Sequence, residues 1–142
     1  MRRLITGVDS DGQSCVTHQA DVSFVEGVVS GVRFDTAFET LQCPPPVRPL
    51  GRGDLLDLGV EPGLARWALI EWEAGLEVPN HHTDTLDFDV VLGGTVELIL
   101  DDGAHALSVG DCVVVTGVDH SWRVGPDGCR MSVVVIGTPP RP

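Results

Sequence analysis

From residue 65 onward the chain is cut into short apolar runs by turn residues. The runs are 65–72, 86–92, 95–100, 104–108, 112–115, 120–124 and 129–136. Between them stand Gly93-Gly94, Asp102-Gly103, Gly110-Asp111 and Pro126-Asp127-Gly128. Turn signals about 8–12 residues apart are the mark of an antiparallel sandwich or barrel. Asp102-Gly103 is the strongest of them, because Asp-Gly accepts the positive φ that a tight hairpin needs. The apolar set is dominated by Val and Leu, with 17 Gly and 10 Pro, which favours short strands over long helices. The expected fold class is therefore all-β. At 142 residues the chain is long enough to bury a core without staples. No internal repeat or domain boundary is visible.

The first 64 residues read less regularly. Strands are expected over 2–6 and 14–18, with 8–12 (VDSDG) turning between them. Residues 32–40 alternate apolar and polar, the pattern of a half-buried strand. Residues 43–63 hold five of the ten prolines and four glycines, so no long regular element fits there. An ordered surface loop is expected, with one turn of helix at 54–57. A loop this long often serves as a lid or partner contact, and a plain connector is the competing reading. Residues 1–64 thus form an arm and loop of the same domain, 65–137 the barrel core, and 138–142 a frayed, Pro-rich tail.

Charge removes several function classes. The net charge is −12, with nine Arg and no Lys. A nucleic-acid partner needs basic surface that this chain lacks, and an acidic membrane surface is disfavoured likewise. No run of about 18 apolar residues offers a membrane span. The start, MRRLITGVDSDG, lacks the apolar stretch of a signal peptide, so a cytoplasmic location is expected. Cys15, Cys43, Cys112 and Cys129 show no zinc or redox spacing and read as reduced thiols. Without lysine, a lysine Schiff base is excluded. Anionic substrates are repelled at long range unless Arg or a metal lines the pocket.

Chemistry concentrates in Gly75 to Gly94, GLEVPNHHTDTLDFDVVLGG. His81, His82, Asp84, Asp87 and Asp89 fall within nine residues, just before the apolar run Val90-Val91-Leu92. These are metal-ligand and acid–base residue types. Strand alternation puts Asp87, Asp89 and Val91 on one face and Leu86, Phe88 and Val90 on the other. His82 points away from His81, so a supporting or surface position is expected for it. Asp84 reads as a turn residue or solvated charge, and His18 and His105 as surface residues. Two Asp on one buried face are costly unless paired, whether by a metal, by water or by an Arg such as Arg66 or Arg123.

The stretch resembles the cupin superfamily, whose first motif reads G-x5-H-x-H-x3-4-E-x6-G. Gly75, His81, Thr83, Asp87 and Gly94 match it in spacing. The second motif reads G-x5-P-x-G-x2-H-x3-N. Gly110, Gly117 and His120 match it, one residue short, with Val115 and Val124 in place of the proline and asparagine. The resemblance spans residues 65–136 and implies a double-stranded β-helix, or jelly-roll barrel. Carried over by position, the family's ligands become His81, Asp87 and His120, with Thr83 in place of a third His. That leaves two His and one carboxylate, a set suited to non-haem iron or catalytic zinc.

Three functions follow from the resemblance. One is a metal-dependent enzyme (dioxygenase, isomerase or decarboxylase) acting on a small organic molecule, with Fe, Zn, Mn or Ni. A second is a metal-free cyclase or dehydratase in which Asp87, Asp89 and His120 are acid and base groups. The third is a non-enzymatic protein that binds a small ligand. No organic cofactor is expected. One of the two Asp pKa values should rise unless a cation intervenes. Phe88, Val90, Leu98, Val114 and Val134 are expected in packed layers. Residues 65–72 are apolar on both faces, which points to a second subunit over one of them and a two-fold homodimer.

Overall fold

A computed structural model describes all 142 residues. The chain forms eleven strands and no helix: β1 (Arg2–Val8), β2 (Ser14–Asp21), β3 (Val25–Glu26), β4 (Arg33–Phe34), β5 (Asp54–Leu55), β6 (Ala65–Trp72), β7 (Glu77–His82), β8 (Thr85–Leu100), β9 (Gly103–Ser108), β10 (Cys112–Val115) and β11 (His120–Gly137). Nine of them make one curled sheet in the order β2-β1-β10-β8-β11-β7-β5, with β6 also on β11 and β9 also on β8. The arm joins this sheet through β1, which runs parallel to β10 with Ile5 opposite Val114. The result is an all-β barrel of curled sheet carrying an N-terminal strand-and-loop arm.

β8 and β11 are the spine. They pair antiparallel from Gly137 opposite Thr85 to Ser121 opposite Ile99. Two expected reversals are therefore not reversals. Both strands continue through Gly93-Gly94 and Pro126-Asp127-Gly128, with register shifts between Val124 and Cys129 and between Arg130 and Met131. Gly94 has φ +71°, and a Cβ there would lie 1.9 Å from the Gly128 carbonyl oxygen. The residues that allow a tight turn here allow a bulge instead, and the bulge curls the sheet over its own core. The expected hairpin at Asp102-Gly103 does form, joining β8 to β9 with Leu100 opposite Gly103.

The core lies inside the curl and includes Leu4, Val91, Leu98, Val113, Trp122 and Met131. Burying each such side chain contributes roughly 1.5–3 kcal/mol. Of the residues expected in packed layers, Leu98 and Val114 are buried. Phe88, Val90 and Val134 are only half-buried, because Asp87, Asp89, Val91, Val133 and Val135 take the inward positions of the same strands. Phe88 packs instead against Phe38 of the arm, with ring centroids 5.7 Å apart.

Three further expectations change. Of residues 32–40, only Arg33–Phe34 pairs, with β3, and Val32 and Phe34 stay exposed. Alternation reports a capacity to form a strand, but no free edge of the main sheet receives this one. Residues 54–57 make no helical turn. Asp54 and Leu55 pair parallel to His81 and His82, because an isolated turn of helix cannot offset its nucleation cost while the edge of β7 offers partners at once. On β6, Arg66, Ala68, Ile70 and Trp72 face inward, whereas Trp67 and Leu69 remain 76% and 73% exposed in the single chain. Past β11, Thr138 is buried and its N–H donates to Asp84 O at 2.9 Å. No helix is long and apolar enough to cross a membrane.

Candidate functional site

The barrel encloses a cavity of about 320 Å³ between β6, β7, β8 and β11, with Leu56 and Leu58 of the long loop at its edge. Its walls are mostly apolar: Ile70, Trp72, Val78, Trp122, Met131 and Val133. Its polar residues are Arg66, His81, Thr83, Asp87, Asp89 and His120. All four residues expected at the site therefore share this one cavity. Two larger hollows, of about 680 and 510 Å³, are open surface grooves that contain none of them.

His81 and His120 lie directly opposite each other on β7 and β11, with ring centroids 4.3 Å apart. The Nδ1 of His81 is 2.8 Å from Pro79 O, and that of His120 is 2.8 Å from Val118 O. A carbonyl can only accept, so each Nδ1 carries a proton, and neither Nε2 makes a hydrogen bond. Burial, reinforced by the neighbouring His81, lowers the His120 pKa to about 4. His120 is therefore neutral at pH 7.

Asp87 and Asp89 stand on β8 between Val115 and Val113 of β10 and Val135 and Val133 of β11. This apolar frame offers no hydrogen bond, and the Oδ1 of each Asp is buried without a partner. Burial raises the Asp87 pKa to about 7, against a small opposing effect of the Thr85 hydroxyl. Burial and then the charge of Asp87 raise that of Asp89 well above the carboxylate range. Both values rise where one was expected, because desolvation acts on each carboxyl before they act on each other. No Arg relieves them. Arg66 donates to Leu58 O at 2.7 Å and Gly59 O at 3.1 Å, and Arg123 pairs with Glu77 and Glu97 at the surface.

The other side of β7 is ordered differently. His82 is buried, with its Nδ1 3.1 Å from Asp119 Oδ1. Asp119 also accepts the backbone N–H groups of Arg52 and Gly53. Burial works against the Asp119 charge, but those two N–H groups and His82 outweigh it and hold the carboxyl below its usual range. Asp84, expected as a solvated turn residue, is half-buried and ion-paired with Arg48 Nε at 2.6 Å. His18 is exposed, and His105 pairs with Asp102 at 2.7 Å on the surface.

Sequence reasoning missed Asp119, whose partners lie 37 or more positions away. It also missed Trp122, although alternation from His120 places it on the same face. Trp122 packs against Trp72 at 5.5 Å and meets the His120 ring edge-on at 5.8 Å.

No model of a known protein family matches the sequence. Phomopsin biosynthesis cluster protein C' of Diaporthe leptostromiformis is 30% identical over 132 aligned residues, covering 85% of this chain and 69% of that protein. The cupin-domain-containing oxidoreductase fogC of Aspergillus ruber is 32% identical over 131 aligned residues, covering 84% of this chain and 62% of that one. The chain belongs to the cupin superfamily. Among solved structures, a sugar phosphate isomerase of the superfamily from Silicibacter pomeroyi overlays it with a TM-score of 0.46, at 25% identity over 53% of this chain and 52% of that one.

The metal that a cupin barrel can hold is tested by the donors present. In this cupin no group of three or more His, Cys, Asp or Glu side chains converges as a metal site. Thr83, at the position of the family's middle His, accepts a hydrogen bond from the Thr85 hydroxyl at 2.9 Å. His81, Asp87 and His120 thus line one cavity, with the two imidazole rings 4.3 Å apart.

Proposed function

We propose that this cupin is an enzyme that moves protons on a small organic molecule held in the barrel cavity. The reaction class is isomerisation, cyclisation or dehydration, with Asp87, Asp89, His81 and His120 as the acid and base groups. One observation carries the reading: two buried carboxyls with unpartnered oxygens share an apolar cavity with two imidazoles whose Nε2 atoms are free. Leaving such groups unanswered costs about 1–3 kcal/mol each, and arrangements of this kind concentrate at functional sites. A carboxyl with a pKa near 7 can give or take a proton at neutral pH, and a neutral imidazole can receive one. The names of the relatives support a small organic substrate, since one is a biosynthesis cluster protein and another an oxidoreductase.

The test follows solvent deuterium into a panel of small enolisable hydroxy-ketones by NMR. The wild-type protein is expected to incorporate label faster than buffer, and Asp89→Asn to lose at least ~100-fold of that rate with its fold intact. Equal rates in the two proteins overturn the reading.

A second reading is favoured by the anchoring of both Nδ1 atoms on carbonyls, which orients imidazoles as metal-bound His residues are oriented. In it a divalent metal (Fe, Zn, Mn or Ni) is held by His81 and His120 with Asp87 as third ligand, and supplies Lewis-acid chemistry. Metal analysis of protein purified without chelator, beside the His81→Ala and His120→Ala variants, decides between the two. Stoichiometric metal that both variants lose establishes the second.

A further inference from the structure

The cavity restricts what can enter it by charge, size and shape, and the three restrictions come from different residues. Charge comes first. The deep wall carries Asp87 and Asp89, and the only cationic side chain lining the cavity is Arg66. Arg66 is exposed, and its Nη1 and Nη2 donate to the carbonyls of Leu58 and Gly59. An anionic group would thus be buried beside Asp87 and Asp89 with no cation at that depth to answer its charge, in a protein of net charge −12. Size comes second. A volume of about 320 Å³ is near the lower end of ligand sites, which run roughly 300–1,000 Å³. The part of a guest buried in it is thus about one ring with short substituents.

Shape comes third. Trp72 and Trp122 pack against each other at 5.5 Å, and Trp122 meets His120 edge-on. With Met131 they offer one aromatic, polarisable wall. The unpartnered Oδ1 atoms of Asp87 and Asp89 then specify the polar end of the guest. A hydroxyl answers them in either state, since it donates to a bare oxygen and accepts from a protonated one.

We propose that the cavity selects an uncharged, single-ring aromatic or conjugated molecule bearing a hydroxyl, inserted hydroxyl-first toward Asp87 and Asp89 with its ring along Trp72 and Trp122. This rests on the acid–base reading of the same cavity. It adds a class of substrate that the reading does not specify.

The probes are 4'-hydroxyacetophenone and its matched carboxylate, 4-hydroxybenzoate, titrated into the full chain by calorimetry at pH 6, where the phenol is neutral and the carboxylate ionised. The neutral phenol is expected to bind at least tenfold more tightly than the carboxylate. In a parallel ¹H–¹⁵N spectrum the indole signals of Trp72 and Trp122 should shift with the phenol. Trp67, on the outer face of the sheet, should not move and serves as an internal reference. Leu58→Trp, which fills the cavity mouth, should abolish binding while circular dichroism shows the fold intact. Equal or tighter binding of the carboxylate overturns the proposal. So does the absence of phenol binding, or a shift of Trp67 alone. If the phenol binds with these signatures while Asp89→Asn leaves solvent exchange into the hydroxy-ketones unchanged, the acid–base reading fails and the selection stands.

Discussion

His81 and His82 are neighbours on β7, and Asp119 and His120 are neighbours at the start of β11. Each pair is split between two sides of the same sheet. On the loop side every polar atom described is answered: His82 by Asp119, and Asp119 by His82 and two backbone N–H groups. The packing there is so close that a Cβ on Gly51 would stand 2.3 Å from His82 Nδ1. On the cavity side His81 and His120 keep free Nε2 atoms, and two Asp oxygens have no partner. Two sets of the same residue types, one position apart, therefore differ in saturation. The saturated set fastens residues 51–58 to the barrel. The unsaturated set is left able to exchange protons with a guest.

The largest expected effect is on the unsaturated side. Asp89→Asn keeps the shape, removes the proton-transfer group and should lower turnover by at least ~100-fold, about 3 kcal/mol. Its unfolding midpoint in urea should not fall below that of the wild type, since burial penalises the carboxylate that the variant lacks. A variant that unfolds instead would mean that Asp89 belongs with the structural set.

On the saturated side the order reverses. Asp119→Ala removes the acceptor of two backbone N–H groups and of His82, and should cost about 2–3 kcal/mol of stability. Amide exchange over residues 51–58 should accelerate in the same variant, while the strands at the core keep their protection. Unchanged exchange over that segment would show that the loop is held by something other than this clamp.

The difference between the sides also predicts a pH signature. His120 titrates near 4 in the folded chain against 6.5 when unfolded, so its contribution makes stability fall as pH drops from 6.5 toward 4. Asp87 runs the other way. Its folded pKa of about 7 lies above the unfolded 3.8, so the stability it contributes is full below 3.8 and lost as pH rises through 7. Asp87→Asn removes its own share of this slope, while that of Asp89, also raised by burial, remains. The variant should exceed the wild type in stability by on the order of 4 kcal/mol at pH 8, and the gap should shrink toward pH 4. Denaturant melts at pH 4, 6 and 8 check this, and a gap independent of pH sinks it.

Much of this comparison was legible in the chain. The bounds of Ala65–Trp72 and Cys112–Val115 could be read directly, because each is a run of apolar residues bounded by turn residues, although only the second is buried. Alternation put Asp87 and Asp89 on one face, and the resemblance to the cupin motif marked that face, with His81, as the inward one. What escaped had no local signal. Gly94 and Gly128 support turns and bulges equally well, and only the long pairing of β8 with β11 decides between them. The strand expected over 32–40 needed a sheet edge that does not reach it. Whether Asp89 meets an Arg depended on where Arg66 points, and that is set by the carbonyls of Leu58 and Gly59.

The smallest effect on stability is expected on the outer face of β6. Trp67 and Leu69 are exposed there, and β6 pairs only with β11, so its other edge has no strand beside it. An eight-residue edge with no Pro and no Lys is a template for another strand, and an antiparallel copy of itself satisfies it about a two-fold axis. The homodimer expected from the sequence would use this surface. Light scattering at micromolar concentration should then report twice the 15.1 kDa chain mass, and Trp67→Arg should return it to one. Because Trp67 touches solvent on most of its surface, the substitution should change the stability of the isolated chain by less than about 0.5 kcal/mol. A wild-type protein that scatters as a monomer would remove the dimer. It would leave β6 as an edge protected by its own twist. The saturation contrast across β7 would be untouched, since none of its contacts reaches this face.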